Sequence, residues 1–161
     1  MKINAIVILF CLFCLNLSAQ VDRTAITTDF MNGWTTNEKH DAIRKHFSPN
    51  MISTWQGGEN WPDGSDGSLE QYWGFYTSIF KNYDIKFTEL LVRELGNETY
   101  VFFNWTTTVR KDEKHPSWIG TTAEGPGAYR LVWENDKIKH LYFYGDMKSR
   151  YEQHEAQAKK K

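Results

Sequence analysis

The sequence predicts an α+β fold: a curved antiparallel sheet with helices packed on one of its faces. Three observations predict it. Apolar residues recur at helical spacing in the first part of the chain, the period changes to two near residue 85 and stays there, and a two-residue turn, Asn135-Asp136, joins the last pair of strands.

The elements follow in order. Ile26, Phe30 and Trp34 recur every fourth residue and predict a first helix. Gly33 and Thr35-Thr36-Asn37 interrupt it, and Asn37 can cap a second helix over 38–47, stopped by Ser48-Pro49-Asn50. Residues 51–56 read as a short strand. Residues 57–67 form a Gly-, Asp- and Asn-rich loop holding Trp61. Ser68 and Gln71 form a capping box that opens a strong helix through Phe80. Residues 85–95 and 99–110 are strand-like, the second rich in β-branched and aromatic residues. Residues 111–116 are a charged turn, and a further strand begins within 117–122, with Gly125-Pro126-Gly127 set to bend or bulge it. Residues 128–134 and 137–146 form a hairpin, followed by a charged, helical tail.

Residues 1–19 have the layout of a secretory signal peptide. Lys2 precedes an apolar run over 5–15, and Ser18-Ala19-Gln20 offers a cleavage site after Ala19. The run is short for a membrane span. The expectation is a secreted or periplasmic protein without stable membrane insertion after cleavage. Cys11 and Cys14 both lie in this segment, so the remainder has no thiol and must be held by its core. The remaining chain, about 140 residues, is enough for one domain. We place that domain at 20–150, with a charged tail at 151–161.

The formal charge of the whole chain is −1, and no basic stripe is present, which argues against nucleic acid as a partner. Asp63 and Asp66 are too sparse for a calcium loop, and no His pair stands at metal spacing, so neither metal nor cofactor is expected. Aromatic residues make up 16% of the chain, with all seven Trp and all eight Tyr after residue 20. Such residues build either a heavily aromatic core or an aromatic-lined cavity.

A plain two-residue turn sets the register of the last hairpin. Trp133 then opposes Ile138, Leu131 opposes His140, Tyr129 opposes Tyr142, and Gly127 opposes Tyr144, with Asp146 continuing on that side. This face is the apolar one and is expected under the helices. The other face, with Arg130, Leu141 and Phe143, suits a moderately polar dimer interface. In this register His140 and Asp146 point inward. A carboxylate at an apolar rim can serve as an acid or base. Asp146 can equally cap the terminal helix, and His140 can be a buried structural histidine.

The layout of residues 26–47, the strand at 51–56 and the helix from Ser68 resembles the NTF2-like superfamily, in its SnoaL-like branch. The closest local match is Asn135-Asp136-Lys137-Ile138, then Tyr142, then Asp146. Tyr83-Asp84 is similar to a Phe-Pro-Asp common in the branch, without its proline. The resemblance implies a cone with helices on the concave face of the sheet, a cavity between them, and homodimers through the sheet. In polyketide-cyclase members an Asp at the place of Asp146 acts as acid or base in an aldol ring closure. Ketosteroid isomerase-like members need a first-helix Tyr, where this chain has Phe30 and Trp34, and an Asp near the first strand, where it has Ser53, Thr54, Trp55 and Gln56. Limonene epoxide hydrolase-like members need an Asp-Arg-Asp set, and Arg130 falls on the face opposite Asp146.

Three functions fit these observations. One is binding of a small apolar or aromatic molecule in a pocket lined by Trp55, Trp73, Tyr129, Tyr142 and Tyr144. Another is an isomerase, cyclase or dehydratase type of enzyme using Asp146 with His140 or Tyr144. The third is a dimeric interaction module with a filled core.

Overall fold

The structure is a computed structural model of the chain and describes residues 21–35, 43–56 and 65–161. The expected signal peptide, residues 38–42 of the expected second helix, and residues 57–64 of the expected loop, Trp61 and Asp63 among them, lie outside the described residues.

Helix α1 spans Arg23–Gly33, and the Asp22 side chain caps it by accepting from the Ala25 N–H at 2.8 Å. Strand β1 spans Phe47–Gln56, so Phe47 begins a strand rather than ending a helix, and Ser48-Pro49-Asn50, expected as a helix stop, lie within the strand. Pro49 sits where the β1 pairing is irregular, a place that tolerates the missing N–H. After β2 (Ser65–Ser68), helix α2 spans Leu69–Asn82, and the Ser68–Gln71 capping box is fully formed. Strands β3 (Tyr83–Leu95) and β4 (Glu98–Val109) come next. A short 3-10 helix at Pro116–Trp118 occupies ground that the sequence assigns to the start of a strand. β5 spans Thr122–Glu134, β6 spans Lys137–Gly145, and helix α3 spans Met147–Ala158.

The strands form one six-stranded sheet in the order β2-β1-β6-β5-β4-β3. It is mixed, because β1 runs parallel to β6 while every other pairing is antiparallel. The fold is therefore α+β, as expected, and the sheet is open rather than closed into a barrel. A bulge in β3 beside Glu89 (φ 56°) bends it.

One face of the sheet carries the core. Thr99, Val101, Phe103 and Trp105 of β4 alternate inward, joined by Tyr129, Leu131 and Trp133 of β5. Phe30 of α1 lies edge-on to Phe47 (5.8 Å) and Tyr129 (5.5 Å). Edge-to-face pairs of this kind add to the area they bury. The aromatic residues thus serve first as core.

The last hairpin departs from the expected register. Asn135 and Asp136 do form the two-residue turn, both with positive φ, and Glu134 pairs with Lys137. A bulge then intervenes, with Ile138 opposite Trp133 but His140 opposite Val132. One extra residue reverses every side chain beyond it. Leu141 and Phe143 therefore face the core, and His140, Tyr142 and Tyr144 face the other way. The sequence reading had these two sets interchanged.

Helix α3 runs through the boundary drawn at 150 into the charged segment 151–161, and residues of that segment contact the sheet. β6 pairs with β5 only from Gly127, which leaves an open edge at the start of β5. Two α3 glutamines complete that edge. Gln157 bonds both the N–H (3.0 Å) and the C=O (2.5 Å) of Thr122, and Gln153 does the same at Glu124 (3.0 and 2.8 Å). Side-chain amides here supply the backbone partners that a strand would give.

Candidate functional site

The helix-covered face is not filled everywhere. A narrow apolar cleft of about 60 Å³ lies among Trp34, Trp55, Phe103, Trp105, Tyr129 and Phe143. A wider cavity of about 600 Å³ lies between the end of α2, residues 111–118 and α3. The two share Trp55, Phe75, Ile79, Met147 and Arg150 as walls, so they lie side by side, and the wider one is called the vestibule below.

The vestibule is built from α3 upward. Arg150 and His154 stand four residues apart and therefore on one face of the helix. Arg150 is 8% exposed, and its guanidinium lies 4.5 Å from the centre of the Tyr83 ring. Burial lowers its pKa from the usual value. Trp118 is stacked between two histidines, His115 at 4.2 Å and His154 at 5.3 Å. His115 is held by the Asp112 carboxylate at 3.4 Å. The other Asp112 oxygen accepts the backbone N–H groups of Lys114 and His115, each at 2.9 Å. Burial pushes the Asp112 carboxyl up, but these bonds outweigh it and hold the pKa below the usual value.

His154 is 1% exposed, and its tautomer follows from its neighbour. The Thr121 hydroxyl donates to the Trp118 carbonyl at 2.6 Å, and His154 Nδ1 lies 2.8 Å from the same hydroxyl oxygen. The hydroxyl has one hydrogen, so Nδ1 must be the donor to Thr121. Nε2 is then a bare acceptor, buried and without a partner among the described residues. Burial, reinforced by Arg150, pulls the His154 pKa down to about 4, so the ring is neutral near pH 7.

The predicted site residues separate into two groups. Trp55 and Tyr129 do line the cavities, and burial pushes the Tyr129 hydroxyl pKa up. Trp73 is buried against Tyr76 at 4.9 Å and walls neither cavity. Asp146 is exposed, accepts from the Ser149 N–H at 2.9 Å as the cap of α3, and walls neither cavity. His140, Tyr142 and Tyr144 lie on the outer face because of the β6 bulge.

There they join a polar ladder. Thr54 donates to Asp66 at 2.6 Å, so His140 Nε2, 2.7 Å from the Thr54 oxygen, carries a proton and donates to it. Burial lowers the His140 pKa; Asp66 opposes the shift and Arg130 adds to it. The ring stacks on Tyr142 at 3.9 Å, and Arg130 lies 4.9 Å over Tyr142 while pairing with Glu98.

Sequence reasoning missed Arg150, His154, Tyr83 and Trp118 as a group. Only the four-residue spacing of Arg150 and His154 was visible, and nothing local says which face of a polar helix is covered. Among the described residues no cluster of His, Cys, Asp or Glu is arranged to hold a metal ion. No helix among them is long and apolar enough to cross a membrane.

No protein-family profile matches the chain, and no curated protein matches it. Solved structures do. A candidate polyketide cyclase from Xanthomonas campestris pv. campestris superposes with a TM-score of 0.68 at 13% identity, covering 81% of this chain and 95% of its own. A candidate SnoaL-like polyketide cyclase from Jannaschia sp. CCS1 gives 0.66 at 13%, covering 83% and 91%. A protein from Catenulispora acidiphila with a ketosteroid isomerase-like fold, solved with trimethylamine, gives 0.61 at 15%, covering 81% and 92%. At these identities the likeness is one of fold.

Proposed function

We propose, from the premise that the chain has the NTF2-like fold in its SnoaL-like form, that it binds a small apolar or aromatic molecule in the cleft and its vestibule. The observation that carries this reading is the adjacency of the two spaces. An aromatic-walled cleft shares five wall residues with a cavity of about 600 Å³, within the usual size of ligand sites. The acid–base reading has less support, because the Asp146 carboxylate is exposed and engaged at the start of α3.

The test is to fill the cleft. Ile79 walls both spaces and is buried. A neutral bicyclic aromatic such as 2-naphthamide should quench tryptophan fluorescence on binding, and Ile79→Trp should weaken it by about tenfold or more. Unchanged affinity in a folded Ile79→Trp protein would place the ligand elsewhere and sink the reading.

A second reading concerns the outer face. Ile52, Leu91, Phe102 and Tyr144 are large, exposed and on the sheet side away from the helices. They support association of two copies through the sheet. Light scattering on the purified protein, with Phe102→Lys as the variant, tests it; a monomer at all concentrations would end it. The segment 1–19 supports export, and the mass of the protein recovered from the medium or periplasm would show whether cleavage follows Ala19.

A further inference from the structure

We infer that the ligand of this cavity is an anion, an aromatic carboxylate whose acid group pairs with Arg150 and whose ring enters the cleft beside Trp55 and Phe75. The inference rests on the reading of the cavity as a ligand site and adds the chemical class of what enters.

Arg150 carries it. A guanidinium removed from water is costly unless a counter-charge or hydrogen bonds replace the solvent. None of the ion pairs or side-chain hydrogen bonds among the described residues involves the Arg150 guanidinium. The Tyr83 ring offsets part of the cost, as a cation over an aromatic face. Asp112 attracts Arg150, but its oxygens already serve the Lys114 and His115 N–H groups and the His115 ring. The cation is 8% exposed and forms a wall of both the cleft and the vestibule. A planar carboxylate matches a guanidinium bidentately, and its attached ring would then reach the aromatic cleft.

Two further observations agree. One helical turn along, the unpartnered Nε2 of His154 is a second buried polar group on the same vestibule wall. It accepts where Arg150 donates, so a hydroxyl or N–H on the ligand finds a partner beside the acid. The vestibule also carries four cationic side chains (Lys81, Lys111, Lys114 and Arg150) against two carboxylates (Asp112 and Glu113), a balance that draws anions inward.

The experiment compares 2-naphthoate with its neutral isostere 2-naphthamide by calorimetry on the full chain. The acid should bind about tenfold or more tightly than the amide. Arg150→Met should bring the two to parity by weakening the acid alone, while Arg150→Lys should keep a reduced preference. Equal affinities in the unaltered protein would overturn the anion inference and leave the cavity reading standing. A preference that survives in a folded Arg150→Met protein would overturn the role of Arg150. Failure of both probes to bind at millimolar concentration would remove both readings. The acid–amide comparison in the unaltered protein decides the matter even where Arg150→Met does not fold.

Discussion

The Arg150 guanidinium stands 4.5 Å over the ring of Tyr83, joining the terminal helix α3 to the first residue of β3. This pair closes one side of the vestibule and gives the buried cation its nearest favourable surface. Its contribution can be isolated. Tyr83→Phe keeps the ring, whereas Tyr83→Leu removes it. The Leu variant should be less stable than the Phe variant by about 1 kcal/mol in urea unfolding. In a double-mutant cycle with Arg150→Met, Tyr83→Leu should lose most of that extra cost.

The glutamines of α3 give a second prediction. Gln153 and Gln157 each bond both backbone groups of a β5 residue. Replacing either by Ala leaves those edge groups to solvent and should cost about 1 kcal/mol. The double replacement should loosen α3 as a unit. Amide exchange in 147–158 should then accelerate more than exchange in β4, and any ligand held by Arg150 should bind more weakly. Uniform acceleration across the sheet would mean that α3 and the sheet open together.

Asp146 separates capping from chemistry. As the cap of α3, Asp146→Ala should cost about 1 kcal/mol, while Asp146→Asn should be nearly neutral, since both Asp and Asn accept from N–H groups. Ligand affinity should be unchanged in the Asn variant. A large change in binding, or in its pH profile, on Asp146→Asn would show that the carboxylate works inside the cavity.

His154 makes stability depend on pH in a defined window. Its folded pKa, about 4, lies below the ordinary 6.5. Below about pH 6.5 the unfolded chain takes up a proton that the folded one refuses. Stability is therefore complete above 6.5, falls as the pH drops towards 4, and levels off below that. The loss is on the order of 2 kcal/mol. His46 and His140, also lowered chiefly by burial, act in the same direction. The share of His154 is read from urea unfolding at pH 7 and pH 5. His154→Gln should flatten the difference between them, and an unchanged slope would show that the proton is taken up elsewhere.

Much of the fold was legible because its signals are local. The Ser68–Gln71 capping box and the Asn135-Asp136 turn each act within a few residues, and both formed as read. The orientation of the last strand was not legible. Lys137-Ile138-Lys139-His140 alternates cleanly, and nothing in it marks the residue that bulges. That single residue carries His140, Tyr142 and Tyr144 away from the core and brings Leu141 and Phe143 into it, which is why these three expected site residues lie on the outer face. The 3-10 turn at Pro116–Trp118 was hidden for a different reason. Trp118 is fixed by His115 and His154, and the latter is distant in sequence. The glutamine and arginine side chains of α3 read as solvated in isolation; only the open edge of β5 and the Tyr83 ring give them partners.

The position of α3 after all six strands has a consequence for how the protein comes into being. A chain emerging from the ribosome presents its sheet and aromatic cleft before it presents Arg150 and His154. Until α3 docks, Trp118 lacks one of its two stacking rings and the β5 edge lacks its amide partners. The nascent domain therefore lacks one wall of its vestibule and carries an open strand edge, the state most exposed to pairing with another chain. Docking of the last helix closes both gaps in one step, so the interval between sheet formation and helix docking is the time in which a chaperone has most to protect.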